Sequence, residues 1–135
     1  MKKYIGVTLA LNSILGECKF TGVEKSEIKS LLENKFKLTK IADDFEKKFS
    51  VIDNFKSNRY KELENKTERE KEEDEEFKSM QKKLESQINA LRMEEAQKEI
   101  EIDLDPFNED SLIKLISDND LNIAQAELLY QHLKK

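Results

Sequence analysis

Turn-forming residues are scarce in this chain of 135 residues, which contains three glycines, one proline and no tryptophan. So little Gly and Pro argues against sandwiches, barrels and glycine-rich nucleotide-binding folds, and it favours long helices. Only 37% of the residues are hydrophobic and 39% are charged, against roughly 45–50% apolar and about 25% charged residues in an average domain. The length predicts a single domain over 1–135, and the composition predicts that much of it is solvated surface.

Cysteine and histidine each occur once. Cys18 has no partner for an internal disulfide, which favours a reducing compartment. Because His132 is the only histidine and Cys18 the only cysteine, we expect no metal site and no histidine that acts as a catalytic base. The apolar run 4–11 is far shorter than the ~20 residues of a membrane span. We interpret that run as part of a buried first helix and expect no contact with a membrane.

Motifs of catalysis and cofactor binding are missing. The sequence has no glycine-rich phosphate loop and no nucleophile elbow. Its acidic pairs, at 103 and 105 and at 118 and 120, lack the glycine and the distal glutamate of a calcium loop. We interpret them as helix caps and solubilising groups, and we expect no enzyme activity, no metal and no cofactor.

Charge is distributed unevenly along the chain. Residues 1–60 contain 12 Lys and Arg against 8 Asp and Glu, whereas residues 61–135 contain 12 against 21. The result is a net charge of −5 without a broad basic surface, so binding to nucleic acid is disfavoured.

Apolar residues recur at helical spacing from about residue 24 to residue 63, which predicts one helix roughly 60 Å long. A heptad pattern holds Ile28, Leu31, Leu38, Ala42, Phe45, Phe49, Ile52 and Leu63 on one side. Its phase assigns the phenylalanines to a helix–helix core rather than to base stacking. Five further apolar residues widen the apolar face and are the predicted partner-binding residues: Leu32, Phe36, Ile41, Phe55 and Tyr60. A protein partner or another copy of the chain is expected to cover them.

Residues 64–76 contain no apolar side chain, which favours the charged tip of an antiparallel hairpin over one continuous rod. Within this segment, Thr67 to Glu70 match a capping box and predict the start of the second arm. That arm presents the stripe Phe77, Met80, Leu84, Ile88 and Leu91. The two arms, spanning 24–97, are expected to share one apolar interface.

Segments 1–23 and 98–135 are expected to pack at the base of this hairpin. Alternation of apolar and acidic residues over 98–105 predicts a strand, which pairs either with 4–7 or with another molecule. Two short helices follow, capped by Asn108 or Asp110 and by Asn122. The predicted fold is therefore mainly α: a long, coiled-coil-like antiparallel hairpin with short terminal helices and one strand or two-stranded ribbon.

Segment order and pattern carry a resemblance to a known family. The run Ile28-Lys29-Ser30-Leu31-Leu32-Glu33-Asn34-Lys35-Phe36 opens a long charged helix, and Glu99-Ile100-Glu101-Ile102-Asp103-Leu104 precedes a closing leucine-containing helix. This order resembles a family of short tailed-bacteriophage proteins classed only as a domain of unknown function. The resemblance implies a phage-encoded origin and a cytoplasmic (host cell) or virion-associated location. It implies no activity and carries no functional residues.

The expected function is non-enzymatic and depends on protein–protein contacts: self-assembly, a virion or assembly component, or binding of a host factor. The alternative is an acidic inhibitor of a host nucleic-acid enzyme or defence complex, in which the acidic half mimics a phosphate array.

Overall fold

The computed structural model describes all 135 residues and is mainly α-helical. In chain order the elements are β1 (Lys2–Tyr4), α1 (Ile5–Glu17), α2 (Lys25–Phe49), a 3-10 turn (Ile52–Phe55), α3 (Asn58–Asn65), α4 (Lys71–Ala96), β2 (Glu99–Glu101), α5 (Glu109–Asp118) and α6 (Ile123–Leu133). The predicted fold class is confirmed, because the helices include a hairpin and the two strands form an antiparallel ribbon. None of the helices combines the length and the apolarity needed to cross a membrane.

The first arm of the hairpin consists of α2, the 3-10 turn and α3. One unbroken helix from 24 to 63 was predicted, and this prediction is wrong, because the arm breaks between Phe49 and Asn58. Serines stabilise both sides of the break. Ser50 Oγ donates to the carbonyl of Lys47 at 2.8 Å, and Ser57 Oγ accepts from the Tyr60 amide at 3.1 Å as the N-cap of α3. Short polar side chains compete in this way with the backbone hydrogen bonds of a helix, which favours a break at these serines. The apolar spacing in the sequence continues across the break and therefore does not reveal it.

The bend between the arms is narrower than the predicted 64–76 tip. Helix α3 extends to Asn65, and α4 begins at Lys71. The predicted cap at Thr67 is wrong, since Glu70 is the N-cap and forms a capping box with Glu73. The Glu70 amide donates to Glu73 Oε1 at 3.2 Å. Acidic side chains follow in the first turn of α4, where the positive end of the helix dipole favours them.

The strand predicted over 98–105 is shorter in the structure, where β2 covers only Glu99–Glu101, and it pairs within the chain. Lys2 lies opposite Glu101, and Tyr4 lies opposite Glu99. The pairing begins before the predicted 4–7 segment, because α1 already starts at Ile5. Two bonds extend the ladder beyond the strands, from the Ile102 amide to the Met1 carbonyl at 3.0 Å and from the Ile5 amide to the Lys98 carbonyl at 2.9 Å.

Two separate apolar cores hold the molecule together. The main core lies at the base and comprises Leu11, Ile14, Leu15, Leu31, Leu38, Ile102, Phe107, Leu112, Leu115, Leu129 and Leu133. A small core at the tip comprises Tyr60, Leu63, Phe77 and Leu84. The single shared interface expected between the arms is therefore wrong. Leu31 and Leu38 of α2 belong to the base core together with residues of α1, α5 and α6, because those elements cover the α2 seam there.

Asparagine caps explain where the two C-terminal helices begin. Asn108 accepts from the Ser111 amide at 2.9 Å, and Asn122 accepts from the Gln125 amide at 2.9 Å. Both predicted caps are confirmed, with Asn108 rather than Asp110 at the start of α5. The Phe107 amide then bonds the Leu133 carbonyl at 2.7 Å, which fixes the end of α6 to the base.

Candidate interaction surfaces

The five predicted partner-binding residues lie in three different environments. Leu32 and Phe36 are exposed on α2, by 47% and 71%, and Phe55 is exposed in the 3-10 turn. Ile41 is half-buried against the main core. Tyr60 is only 8% exposed and belongs to the tip core, so it is not part of an open surface. The expectation that the phenylalanines are core holds for Phe45 and is wrong for Phe36 and Phe55.

The outward direction of Leu32 and Phe36 follows from helical geometry. They are four residues apart and therefore neighbours on one face of α2. Leu31 and Leu38 occupy the opposite side of the same helix and are buried in the main core. Because one helix cannot turn both pairs toward the same core, Leu32 and Phe36 remain in solvent.

Lysines surround these two apolar side chains. Four of them lie 4, 7 or 11 positions from Phe36, which places them on the same helical face: Lys25, Lys29, Lys40 and Lys47. All four are exposed, and none makes an ion pair. Only Glu33 and Asp43 oppose them on this face. The outer face of α2, defined by Leu32, Phe36 and these four lysines, is thus basic on a protein whose net charge is −5.

A second apolar region lies where the first arm breaks. Val51, Ile52 and Phe55 are exposed there. Between the 3-10 turn and α4 is an open cleft of about 410 Å³, whose apolar lining is Ile52, Tyr60, Leu84 and Ile88. The heptad pattern assigned Ile52 to a buried seam, and it is exposed because the two cores do not meet at this level.

Arg92 connects the two arms between the cores. Its guanidinium donates to both carboxylate oxygens of Glu46, at 2.6 and 3.2 Å. It also lies over the rings of Phe45 and Phe49, 5.0 and 5.2 Å from their centroids. Hydrogen bonding to Arg92 lowers the pKa of Glu46 below its usual value. This contact was not predictable from the sequence, because Arg92 and Glu46 are 46 residues apart and neither has a local feature that indicates the other.

Ion pairs neutralise much of the acidic tip. Arg59 pairs with Glu76 at 2.9 Å and with Glu62 at 3.2 Å, and the hydrogen bond from Arg59 lowers the pKa of Glu76. Arg69 bonds the Leu63 carbonyl at 2.9 Å. Further pairs join Lys56 to Glu64, Lys66 to Glu73 and Arg69 to Asp74.

The isolated cysteine and histidine both lie at the base. Cys18 is half-buried, and burial raises the pKa of its thiol, which disfavours the reactive thiolate. His132 is half-buried beside Lys3. No three His, Cys, Asp or Glu side chains are grouped so that they would hold a metal ion.

Comparison with protein-family models, with curated proteins and with solved structures finds no match to this chain.

Proposed function

We propose that this is a non-enzymatic protein of phage type that acts by binding another protein through the outer face of α2. The observation that carries the proposal is the exposure of Phe36, 71%, beside Leu32 in the middle of a helix. Leaving such a side chain in water forgoes ~1.5–3 kcal/mol of burial. An aromatic anchor surrounded by charged side chains is also the usual anatomy of a binding hot spot.

The charge of the outer face indicates what kind of partner it fits. Its four lysines have no acidic partner within the chain, so an acidic partner surface would pair with them at the rim while Leu32 and Phe36 form the apolar centre. Such rim charges steer association and make it sensitive to salt. The partner is either a phage or host protein or a second copy of this chain, whose residues 61–135 are acidic.

The alternative, an acidic inhibitor that mimics a phosphate array, finds less support. Such a mimic needs unpaired carboxylates, whereas five acids of the tip region are held in ion pairs: Glu62, Glu64, Glu73, Asp74 and Glu76.

A pair of matched variants tests the proposal. Phe36→Asp places a charge at the centre of the outer face, and Ile123→Asp makes the same change at an equally open position of α6, 79% exposed. Each purified protein is used to capture binders from a bacterial lysate and is run in sedimentation velocity over a range of concentrations. We expect Phe36→Asp to remove the captured protein or the self-association that the wild type shows, and Ile123→Asp to leave it unchanged. A wild type that stays monomeric and captures nothing would contradict the proposal, as would equal effects of the two variants.

A further inference from the structure

We propose that the free edge of β2 binds an extended segment of a partner protein, which adds to the ribbon as a third strand. This inference rests on the proposed binding role, and its surface shares only Lys40 with the outer face of α2. It follows from the direction of the backbone bonds in the ribbon and from the cleft beside them.

The ladder fixes which backbone groups remain free. Lys98 and Ile102 bond toward β1, through the Lys98 carbonyl and the Ile102 amide. In an antiparallel pair, residues alternate between those that bond the neighbouring strand and those that point away from it. Ile100 therefore bonds β1, whereas the N–H and C=O groups of Glu99 and Glu101 point away from it. These groups form the hydrogen-bonding edge that a further strand uses.

An open cleft borders this edge. It has a volume of about 450 Å³ and lies between β2 and α2. Ile41, Ile100 and Ile102 form its apolar lining, and its rim carries the charged residues Lys37, Lys40, Asp44, Glu101 and Asp103. A second cleft of about 310 Å³ shares Ile41 and Ile100 with it and continues to Phe45. Together they give an incoming strand an apolar floor for the side chains that point inward. The volume of each cleft lies within the range of ~300–1,000 Å³ found for binding clefts.

One contact shows that the carbonyls on this side of the strand accept hydrogen bonds. Lys37 Nζ on α2 donates to the Asp103 carbonyl at 2.7 Å. Because Asp103 follows Glu99 and Glu101 in the two-residue alternation, its carbonyl points to the same side. Lys37 closes that end of the cleft, which leaves Glu99 and Glu101 as the docking positions.

Acidic side chains along the edge disfavour a second copy as the third strand. Antiparallel pairing of two β2 strands would bring Glu99 and Glu101 of one copy against those of the other, and like charges directly opposite each other are destabilising. Glu101 contacts the Met1 ammonium at 2.8 Å, whereas Glu99 has no ion-pair partner. The edge therefore fits a different protein, whose segment alternates apolar side chains toward Ile41 with basic side chains toward Glu99.

The probe is an acetylated, amidated hexapeptide of alternating lysine and valine. We expect it to shift the backbone amide resonances of Glu99 and Glu101 in nitrogen-edited NMR spectra and to slow hydrogen exchange at the Glu101 amide. Two control peptides separate the contributions. One carries glutamate in place of lysine, and the other is methylated on alternate backbone nitrogens so that it cannot complete the ladder. Both should bind at least about tenfold more weakly if strand addition is the mode.

Variants at position 101 test the edge directly. Glu101→Pro removes the outward N–H while leaving the bonds of Ile100 to β1, and Glu101→Thr retains it. We expect binding to be lost in Glu101→Pro and retained in Glu101→Thr. If circular dichroism shows that Glu101→Pro is unfolded, Ile41→Lys, which fills the cleft from α2, takes its place. Undisturbed resonances at Glu99 and Glu101, or equal binding of the methylated peptide, would overturn the inference. Phe36→Asp should leave peptide binding unchanged, so failure here is distinguishable from failure of the outer face of α2.

Discussion

The ammonium of Lys3 lies 2.9 Å from Nδ1 of His132, which joins the first strand to the last helix. Lys3 is only 8% exposed and has no carboxylate partner. An ammonium group can donate hydrogen bonds but cannot accept them. The imidazole must therefore accept this bond through an unprotonated Nδ1, which makes it neutral. Burial lowers the pKa of both side chains, and the Lys3 charge lowers that of His132 further.

This contact predicts a loss of stability in mild acid. Because the pKa of His132 is lowered in the folded protein, the unfolded chain takes up the proton first as the pH falls below about 6.5. The free energy of unfolding should therefore be highest above that pH and decrease from about pH 7 to about pH 5.5, before most carboxylates titrate. Urea denaturation at both pH values measures the difference.

His132→Gln is the matched control, since glutamine can accept from Lys3 without titrating. His132 is the only histidine, so we expect the variant to lose most of the pH dependence in this window. An unchanged dependence would show that the contact with Lys3 does not keep His132 neutral.

Arg92 should contribute modestly to stability. Arg92→Ala removes the two bonds to Glu46 and the contacts with the rings of Phe45 and Phe49. Because Glu46 is exposed and Arg92 is only half-buried, we expect a loss of about 1 kcal/mol in the free energy of unfolding. Arg92→Lys should fall between wild type and Arg92→Ala, and Lys82→Ala on the same helix should have no effect. Equal stability of Arg92→Ala and wild type would show that the arms do not depend on this connection.

Arg69 should act on the tip alone. Its guanidinium bonds the Leu63 carbonyl at 2.9 Å and lies 4.4 Å from the centroid of Phe77. Since the tip core is separate from the main core, Arg69→Ala should speed hydrogen exchange in 58–65 and leave 5–17 unchanged. Lys71→Ala, at an exposed position next to the bend, serves as the control. Faster exchange throughout the chain would contradict the division into two cores.

Asn34 should be the most sensitive polar position. It is fully buried, its side-chain amide donates to the Asp105 carbonyl at 2.9 Å, and its carbonyl accepts from the Asp105 amide at 2.7 Å. Asn34→Leu keeps the branched skeleton of the side chain but leaves both backbone groups of Asp105 without partners, so we expect a loss of about 2 kcal/mol or more in chemical denaturation. Asn89→Leu, an exposed amide on α4, should change stability by less than about 0.5 kcal/mol. Similar losses in the two variants would contradict this role of Asn34.

Helix caps and the buried side of a helix were predictable from the sequence, whereas the elements that cover each helix face were not. Asn108 and Asn122 are caps because each asparagine precedes a run of helical apolar spacing, and this signal is contained within four residues. The heptad phase correctly made Leu31 and Leu38 core but did not specify α1, α5 and α6 as what covers them. Ser57, the N-cap of α3, is the local signal for the broken arm, and the apolar period does not contain it.

Contacts between residues that are far apart in the sequence were not predictable from sequence patterns. Lys3 and His132 are 129 residues apart, and neither has a local sequence feature that indicates the other. The tip illustrates a different difficulty, because Thr67 matches the capping-box sequence pattern, whereas Glu70, the residue that caps α4, does not. Exposure of Phe36 follows from which side of α2 the base covers, which is a property of the assembled fold.

Site-specific photocrosslinking from position 36 tests the central claim most directly. A benzophenone-bearing residue replaces Phe36 in one protein and Ile123 in a second, and both are irradiated in bacterial cells. Binding through the outer face of α2 predicts a discrete crosslinked product from position 36 that contains another protein or a second copy, and none from position 123. No product from position 36, or the same products from both positions, would contradict the account.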